Sequence, residues 1–302
     1  MVFSFFSAYG FSETETTEKL FQFRSGLFEP SETRPIIPRE FRSRTFPFAF
    51  LLNLSLIDLK KTLPNLDWGK TGVLCGSATG GIAHLTAQYN RFNEKGLHKM
   101  SPLTVLQTIH NSASSALAID CKAKGISGGY NCLETSGVEA LADAIALINS
   151  GEYESIFVGA GEDLTFQSCS PQLVGGGNFL TRNSYDKNGF EIECLINRGK
   201  PWLSANDNFI DIIEDYYLKF GKHNLNIPDK ENWICFNYQM KQDLYLKNYP
   251  ISFESLLILK PYLSLAPFLG IGVGLQKYTE FKVLTVSSEG HGVLLSIKRN
   301  FK

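Results

Sequence analysis

Two residues that could do chemistry stand at the start of a helical segment. Glu134 begins residues 134–151, and Cys132 lies two residues before them; within this range apolar side chains recur at helical spacing and alanines fill the other faces. A thiol at a helix N-terminus has a lowered pKa, because the helix dipole favours the thiolate. A carboxylate there is held ionised but forms no thioester. Which residue occupies the helix start therefore decides whether this site has a nucleophile.

The remaining thiols and imidazoles are scattered along the chain. The six cysteines form no CxxC pair and have no histidine beside them at metal-ligand spacing. They predict reduced, mostly buried thiols and no metal site. The five histidines are His84, His98, His110, His223 and His291. Of these, His223 lies in a Lys- and Asn-rich stretch and is predicted to be solvated.

Charge and hydropathy limit the classes of partner. The formal net charge is −1, from 29 Lys and Arg against 30 Asp and Glu, and no basic run resembles a phosphate-binding surface. The longest apolar stretches, residues 46–56 and 263–275, are shorter than the roughly 20 residues that cross a bilayer. The first residues lack the basic region of a secretory signal. We expect no nucleic acid partner, no membrane association and a cytoplasmic location.

The elements that position Cys132 and Glu134 follow a strand and helix alternation. A buried strand begins at Thr71 and runs into Gly80 and Gly81, after which the pattern becomes helical. Apolar residues at helical spacing in residues 101–124 predict one helix that Gly125 ends. A continuous apolar strand at 154–163 follows the helix at 134–151. This unit is typical of a sheet that is covered on both faces.

The C-terminal part repeats this pattern. Residues 232–238 predict a strand, residues 256–275 a buried helix, and residues 282–298 a hairpin turned at glycine. Two similar α/β halves are expected, residues 1–200 and a shortened 201–302, which form one compact unit.

The order of motifs resembles the thiolase-fold condensing enzymes, the ketosynthases of fatty acid and polyketide synthesis. The matching segments are Gly76 to Gly81, Ser101-Pro102, Asn111, Gly128-Gly129, Glu134 to Gly151, Gly159 to Glu162, and Asn183 to Phe190. The resemblance implies an α/β, thiolase-like fold with two similar βαβ-type halves in a layered α-β-α-β-α arrangement. The fold is expected to be truncated, because the chain is shorter than ordinary family members.

The resemblance places Glu134 where ketosynthases carry the nucleophilic cysteine. Counted back from Gly151 without a gap in the helix, the nucleophile position falls on Glu134 rather than on Cys132. Cys132 is the alternative, and it requires a slip of two residues in a helix whose length otherwise fits. Glu134 also has a plain structural interpretation as an acid that stabilises the helix dipole.

The resemblance also implies two catalytic histidines that this chain lacks. The loop that carries the first histidine in the family matches residues 235–239, which contain no histidine. The loop that carries the second histidine matches residues 260–265, where Leu265 takes the place of the histidine and Lys260 is retained. His291 resembles a residue of the family's Gly-rich turn and is expected to support the site structurally. His84, His98 and His110 match no family histidine. No catalytic residue is therefore expected.

Within the family, these losses resemble the chain length factors of type II polyketide synthases. Such a subunit pairs with a cysteine-bearing ketosynthase through the fifth strand of each subunit and its flanking helices. It sets the depth of the tunnel into which the growing polyketide chain extends. An acyl carrier protein delivers the substrates on its phosphopantetheine. The product is expected to be an aromatic polyketide. No cofactor of its own is implied. The tunnel and gate candidates are Leu103, Leu106, Gln107 and His110, although ordinary helix core is an equal alternative for each.

Two other functions remain open. Glu134 could stand for the Gln of malonyl-decarboxylating ketosynthase variants, although the missing histidines count against this activity. The chain could also be a purely structural partner subunit without influence on chain length.

Overall fold

The structure, a computed structural model, describes residues 2–7, 49, 52, 53, 56, 60, 64–164, 173–181, 190–200, 205–219, 231–237, 251–255, 263, 264 and 266–299. Alternating strands and helices fill these ranges. The strands are β1 (Val2–Ser7), β2 (Gly72–Gly76), β3 (Ser127–Tyr130), β4 (Ser155–Asp163), β5 (Leu173–Thr181), β6 (Phe190–Gly199), β7 (Glu231–Asn237), β8 (Ile251–Ser255), β9 (Glu280–Val286) and β10 (His291–Arg299). The α-helices are α1 (Ile82–Lys95), α2 (Ser112–Cys121), α3 (Ser136–Ser150), α4 (Ala205–Lys219) and α5 (Ala266–Lys277).

The strand order repeats itself. Hydrogen bonds connect the strands in the order β3-β2-β4-β5-β1-β6-β10-β9-β7-β8. The first five strands along the chain, β1–β5, form one set, and β6–β10 form the other. Counted along the chain within each set, the second strand pairs in parallel with the third and the fourth, and the fifth pairs antiparallel with the fourth and the first. The two sets meet at one residue pair, Phe3 and Phe190. The expected pair of similar halves is confirmed, and by strand order β6 belongs to the second set.

The helices alternate with the two sets of strands in layers. Helix α3 packs on β2 and β4 of the first set and on β6 and β10 of the second, and α5 packs on β5, β7 and β9. These two helices therefore lie between the sets. Helix α2 covers β2 and β3 from outside, and α4 covers β6, β7, β9 and β10. The arrangement is the predicted α-β-α-β-α stack.

Burial explains why the central elements form. Every residue of β4 is buried, and ten of the fifteen residues of α3 are buried. A helix that is apolar on almost all faces has to be enclosed, and α3 is enclosed by strands of both sets. The left-handed Gly151 (φ 90°) ends α3, as its position in the sequence indicated.

The predicted helix over residues 101–124 is wrong in its first half. Residues 102–110 form successive turns, and α2 begins only at Ser112. Hydroxyl groups compete with the helical hydrogen bonds here: Thr104 Oγ1 donates to the Ser101 carbonyl (2.6 Å) and Ser112 Oγ to the Leu106 carbonyl. Leu106 is consequently exposed rather than part of a helix core.

The predicted end of this helix is also wrong. Lys122 in the left-handed region (φ 60°, ψ 30°) caps α2, three residues before Gly125. Gly125 has a different role, because a Cβ there would come within 2.7 Å of the Thr71 carbonyl oxygen. The glycine lets the chain pass close to the start of β2.

Strand β5 lies inside the described sheet. It is hydrogen-bonded to β4 on one side and to β1 on the other, and pairing between subunits through the family's fifth strand stays a prediction. Among the described strands, β3 and β8 are the edges. An edge strand presents unpaired N–H and C=O groups, so β3 or β8 can add a strand from another chain.

Candidate functional site

The candidate site lies at the start of α3. Glu134 is the middle residue of a 3₁₀ turn, Leu133–Thr135, that leads directly into the helix. Leu133 has a left-handed backbone (φ 53°), which costs on the order of 1–2 kcal/mol for a residue other than glycine. Side chains hold the turn in place: the Cys132 N–H donates to Ser136 Oγ (2.8 Å), and Thr135 Oγ1 donates to the Cys132 carbonyl (2.7 Å). The turn therefore has a fixed, strained shape.

The Glu134 carboxylate is bound by a turn from the other end of the chain. Its Oε2 accepts a hydrogen bond from the Ser288 N–H (3.1 Å) and another from Ser288 Oγ (3.0 Å). Ser288 lies in the turn between β9 and β10, which closes at Gly290 (φ 83°). A carboxylate at a helix N-terminus with two donors has its charge well satisfied. It cannot accept an acyl group as a thioester.

Cys132, the alternative nucleophile, lacks the environment of a reactive thiol. It is exposed and lies before the 3₁₀ turn, four residues from the start of α3. Partial burial of the thiol and the nearby carboxylates of Glu139 and Asp143 raise the pKa of Cys132. A thiol with a raised pKa is protonated and weakly nucleophilic at neutral pH.

A polar network connects α3 to the base of the β9–β10 turn. Glu139 is buried on α3, and its carboxylate contacts His291 Nε2 on β10. Asn197 on β6 bridges the same two groups: its Nδ2 donates to Glu139 Oε2 (2.9 Å), and its Oδ1 lies 2.8 Å from His291 Nε2. His291 therefore fixes the turn to the helix, which is the supporting position that the sequence indicated.

Glu162 organises the loops around the site, a role that the motif at 159–162 did not reveal. Its fully buried carboxylate accepts from the N–H groups of Ala78 (2.7 Å) and Thr79 (2.9 Å) after β2 and from the Ser77 and Thr79 hydroxyls. Ser264, just before α5, donates to it through both its N–H (3.3 Å) and its hydroxyl. Burial raises the pKa of Glu162, and these hydrogen bonds oppose the rise.

A small cleft opens beside the site at the carboxyl end of β2. Of the predicted tunnel residues, His110 lines this cleft. Gly129 packs against the His110 backbone so closely that a Cβ on residue 129 would come within 2.2 Å of the His110 carbonyl oxygen. The residues that line the cleft come from four segments: Cys75, Gly76, Ser77, Gly80, Gly81, Ile109, His110, Ala113, Tyr130 and Asn131.

The other three tunnel candidates lie on the turns of residues 102–110. Leu103 is 47% exposed and Leu106 is 61% exposed, whereas Gln107 is half-buried. They do not line the cleft. In the isolated chain, this segment is a surface rather than the wall of an internal tunnel.

The other histidines and cysteines give no second reactive centre within the described ranges. His84 lies on α1 and His98 in the 3₁₀ turn Leu97–Lys99. Burial raises the pKa of every described cysteine: Cys75, Cys121, Cys132, Cys194 (to about 12) and Cys235. His223, Cys169 and Leu265 lie outside the described residues, as do Lys260, Tyr238 and Gln239 of the two expected histidine loops.

No group of three or more His, Cys, Asp or Glu side chains among the residues that the structure describes could hold a metal ion. No described helix is both long and apolar enough to span a membrane.

Part of the chain is similar to a known protein family. Residues 56–188 match the family model "Beta-ketoacyl synthase, N-terminal domain". A 3-oxoacyl-(acyl-carrier-protein) synthase 2 of Synechocystis sp. is 32% identical over 108 residues, which are 35% of this chain and 25% of that protein. The corresponding synthase of Vibrio harveyi is 25% identical over 141 residues, 47% of this chain and 32% of that protein. The matches thus span a quarter to a third of these relatives.

Solved structures show the same fold over nearly the whole chain. A type II PKS acyl-carrier protein in complex with its ketosynthase bound to the hexaketide has a TM-score of 0.72 at 15% identity, with 98% of this chain and 97% of that chain covered. The ishigamide ketosynthase/chain length factor has a TM-score of 0.66 at 13% identity, with 99% and 98% covered. A ketosynthase in complex with its chain length factor from Xenorhabdus doucetiae has a TM-score of 0.59 at 12% identity, with 87% and 84% covered. The predicted thiolase-like ketosynthase fold is confirmed.

Proposed function

We propose that this chain is the non-condensing partner of a cysteine-bearing ketosynthase and acts as a chain length factor in a type II polyketide synthase. The partner forms the carbon–carbon bonds. This chain completes the tunnel into which the growing chain extends from the partner's cysteine, and an acyl carrier protein delivers the substrates, mainly through the partner. Length control is then steric.

The observation that carries this proposal is the carboxylate at the start of α3. Glu134 stands where the ketosynthase resemblance places the nucleophile, and its Oε2 accepts both donors of Ser288. A condensation cycle passes through a thioester, which a carboxylate does not form. In addition, the Ser288 N–H is already hydrogen-bonded to Glu134 and is not free to bind the oxygen of a substrate carbonyl. The fold is retained, while the group that would hold the acyl chain is replaced.

Pairing is supported by the surface beside this site. Strand β3 is a short edge of the sheet, and its Gly129 packs under His110 at the end of the exposed segment 102–110. The edge and the segment therefore form one continuous area. Leu103, Val105 and Leu106 are 47–67% exposed on it, which is unusual for a cluster of large apolar side chains on a monomer. A partner subunit that covers this area would convert the exposed turns into a tunnel wall.

Loading with acyl groups tests the missing chemistry. The purified chain and a cysteine-bearing ketosynthase from the same source are each incubated with acyl carrier protein that carries an acyl thioester, and the intact masses are measured. We expect an acyl adduct on the ketosynthase and none on this chain. The variant Glu134→Cys is the positive control for access to the site. An adduct on wild-type Cys132 would overturn the proposal.

A further inference from the structure

The exposed apolar side chains of the described residues are concentrated in one region. Eleven large apolar residues are exposed, and nine of them lie between residues 82 and 109. They are Ile82, Leu85, Tyr89, Phe92, Leu97, Leu103, Val105, Leu106 and Ile109. At exposures of 41–71% they present on the order of 800 Å² of apolar surface, if each side chain offers about 150–200 Å². The largest patch on a typical monomer is about 300–600 Å².

Four of these residues form one face of α1. Ile82, Leu85, Tyr89 and Phe92 are spaced by three, four and three residues, which is the spacing of an apolar stripe on a helix. Their exposures are 46%, 49%, 60% and 41%. A surface helix normally turns such a stripe toward the core. Here the stripe faces outward, and we define it as the α1 face.

Helix α1 also has little buried surface elsewhere. Ala83 and Gln88 are its buried residues, and no side chain caps its N-terminus at Gly81. An isolated helix of about 12–15 residues is only marginally stable in water, so α1, with 14 residues, depends on packing of its apolar face. The described part of the chain does not cover that face.

The α1 face is attached to the segment that the proposed function assigns to the partner. The buried Gln88 accepts a hydrogen bond through Oε1 from the Ser101 N–H (2.9 Å), where residues 102–110 begin. Leu97 follows α1 directly and is 71% exposed. The α1 face, Leu97 and residues 102–110 are thus consecutive parts of one surface that ends at the β3 edge.

We propose that the α1 face is the outer part of the interface with the cysteine-bearing ketosynthase subunit. This inference rests on the proposed function and assigns it a second contact area. Two features select this occupant. The α1 face continues the area that the partner is proposed to cover, and all nine residues together present roughly 800 Å², which is what each partner contributes to a standard interface. A second copy of this chain in its place would again have Glu134, and no cysteine, at the proposed nucleophile position. Tyr89, the most exposed residue of the stripe, is its expected energetic centre.

The test measures binding to a cysteine-bearing ketosynthase from the same source by native mass spectrometry and titration calorimetry. The variants are Leu85→Glu and Tyr89→Glu. The control is Ala87→Glu, which adds the same charge to an exposed position of α1 away from the stripe. We expect both stripe variants to weaken binding about tenfold or more, as substitutions at interface hot spots do, while Ala87→Glu binds like wild type.

The other outcomes separate the two proposals. If the wild type binds the ketosynthase and both stripe variants bind it equally well, the role of the α1 face is overturned and the proposed function stands. Absence of binding by the wild type overturns the proposed function, and this inference with it. A loss of thermal stability of the isolated chain in Tyr89→Glu, but not in Ala87→Glu, shows that the chain's own residues cover the face. If the wild type forms a homodimer that the Tyr89→Glu substitution dissociates, a second copy of this chain covers the face.

Discussion

Glu134 and Ser288 are separated by 154 residues, yet both hydrogen-bond donors of Ser288 bind one oxygen of the Glu134 carboxylate. The contact joins the start of α3, which belongs to the first half of the fold, to the β9–β10 turn of the second half. One side chain thus ties the two halves of the fold together at the start of α3.

Replacement of Glu134 by alanine should lower the stability of the fold. It removes the two hydrogen bonds from Ser288 to the Glu134 carboxylate, and a hydrogen bond to a charged group contributes about 1.5–3 kcal/mol. Because Glu134 is half-buried, we expect a decrease of about 1–2 kcal/mol in the free energy of unfolding, measured by denaturant titration. Glu289→Ala, at the exposed neighbour of Ser288, is the control and should change it little. Equal effects of the two substitutions would show that the contact does not stabilise the protein.

Cys132 should react slowly with iodoacetamide although it is exposed. Its pKa is raised by partial burial of the thiol and by the carboxylates of Glu139 and Asp143, so little thiolate is present at neutral pH. Peptide mass spectrometry after timed labelling at pH 7 to 9 should show a slower rate at Cys132 than for a free cysteine peptide. Labelling of Cys132 faster than the peptide would identify an activated thiol and would contradict the assignment of Glu134 to the nucleophile position.

His291→Ala should loosen the β9–β10 turn. The substitution removes the contacts with Glu139 and Asn197, which together tie the base of the turn to α3 and β6. Hydrogen exchange followed by mass spectrometry should show about tenfold faster exchange at residues 287–290, which corresponds to about 1.4 kcal/mol of lost protection. Lys298→Ala, at an exposed position of the same strand, should leave the turn unchanged. Unchanged exchange in His291→Ala would mean that other contacts hold the turn.

The stability of the protein should depend on pH through Glu162. Burial raises the pKa of Glu162 above its ordinary value of 4.5, so the folded state binds the proton more tightly than the unfolded state. The stability from this group is complete below pH 4.5 and is lost as the pH rises through the folded-state pKa. The free energy of unfolding of wild type, relative to Glu162→Gln, should therefore fall as the pH rises from 4.5 toward neutral. A difference that stays constant over this range would show that the pKa of Glu162 is not raised.

The sequence was informative where periodicity and burial agree. The helix at 134–151, the strand at 154–163 and the hairpin at 282–298 were all predicted, because an enclosed helix and covered strands leave long apolar patterns. The repeat of the two halves was visible for the same reason. The layered arrangement came from the family resemblance.

The sequence failed where local side-chain hydrogen bonds or long-range contacts decide. Residues 102–110 have helical spacing, but Thr104, Thr108 and Ser112 bind nearby carbonyl groups and produce turns. The contacts of Glu134 with Ser288 and of Glu162 with Ser264 join residues 154 and 102 positions apart, which no local pattern reveals. Which described strands form the edges of the sheet, β3 and β8, depends on the strand order of the folded chain.

Leu106→Phe should shorten the product of the assembled complex if Leu106 lines the tunnel. The residue is 61% exposed in the isolated chain, so a larger side chain can be added there without overpacking the core. The expected result is a product with fewer extension units and an unchanged amount of complex, measured by mass spectrometry. Leu218→Phe, at a position of α4 that is 59% exposed and far from this segment in sequence, is the control. An unchanged product from an intact complex would remove Leu106 from the tunnel candidates.

The central claim, that this chain assists a ketosynthase rather than condensing by itself, is tested most directly by reconstitution. A cysteine-bearing ketosynthase and acyl carrier protein from the same source are expressed with and without this chain, and complexes and products are measured by mass spectrometry. We predict a stable one-to-one complex, and a ketosynthase that is inactive or makes products of altered length when this chain is omitted. Condensation by this chain alone, without the ketosynthase, would contradict the account.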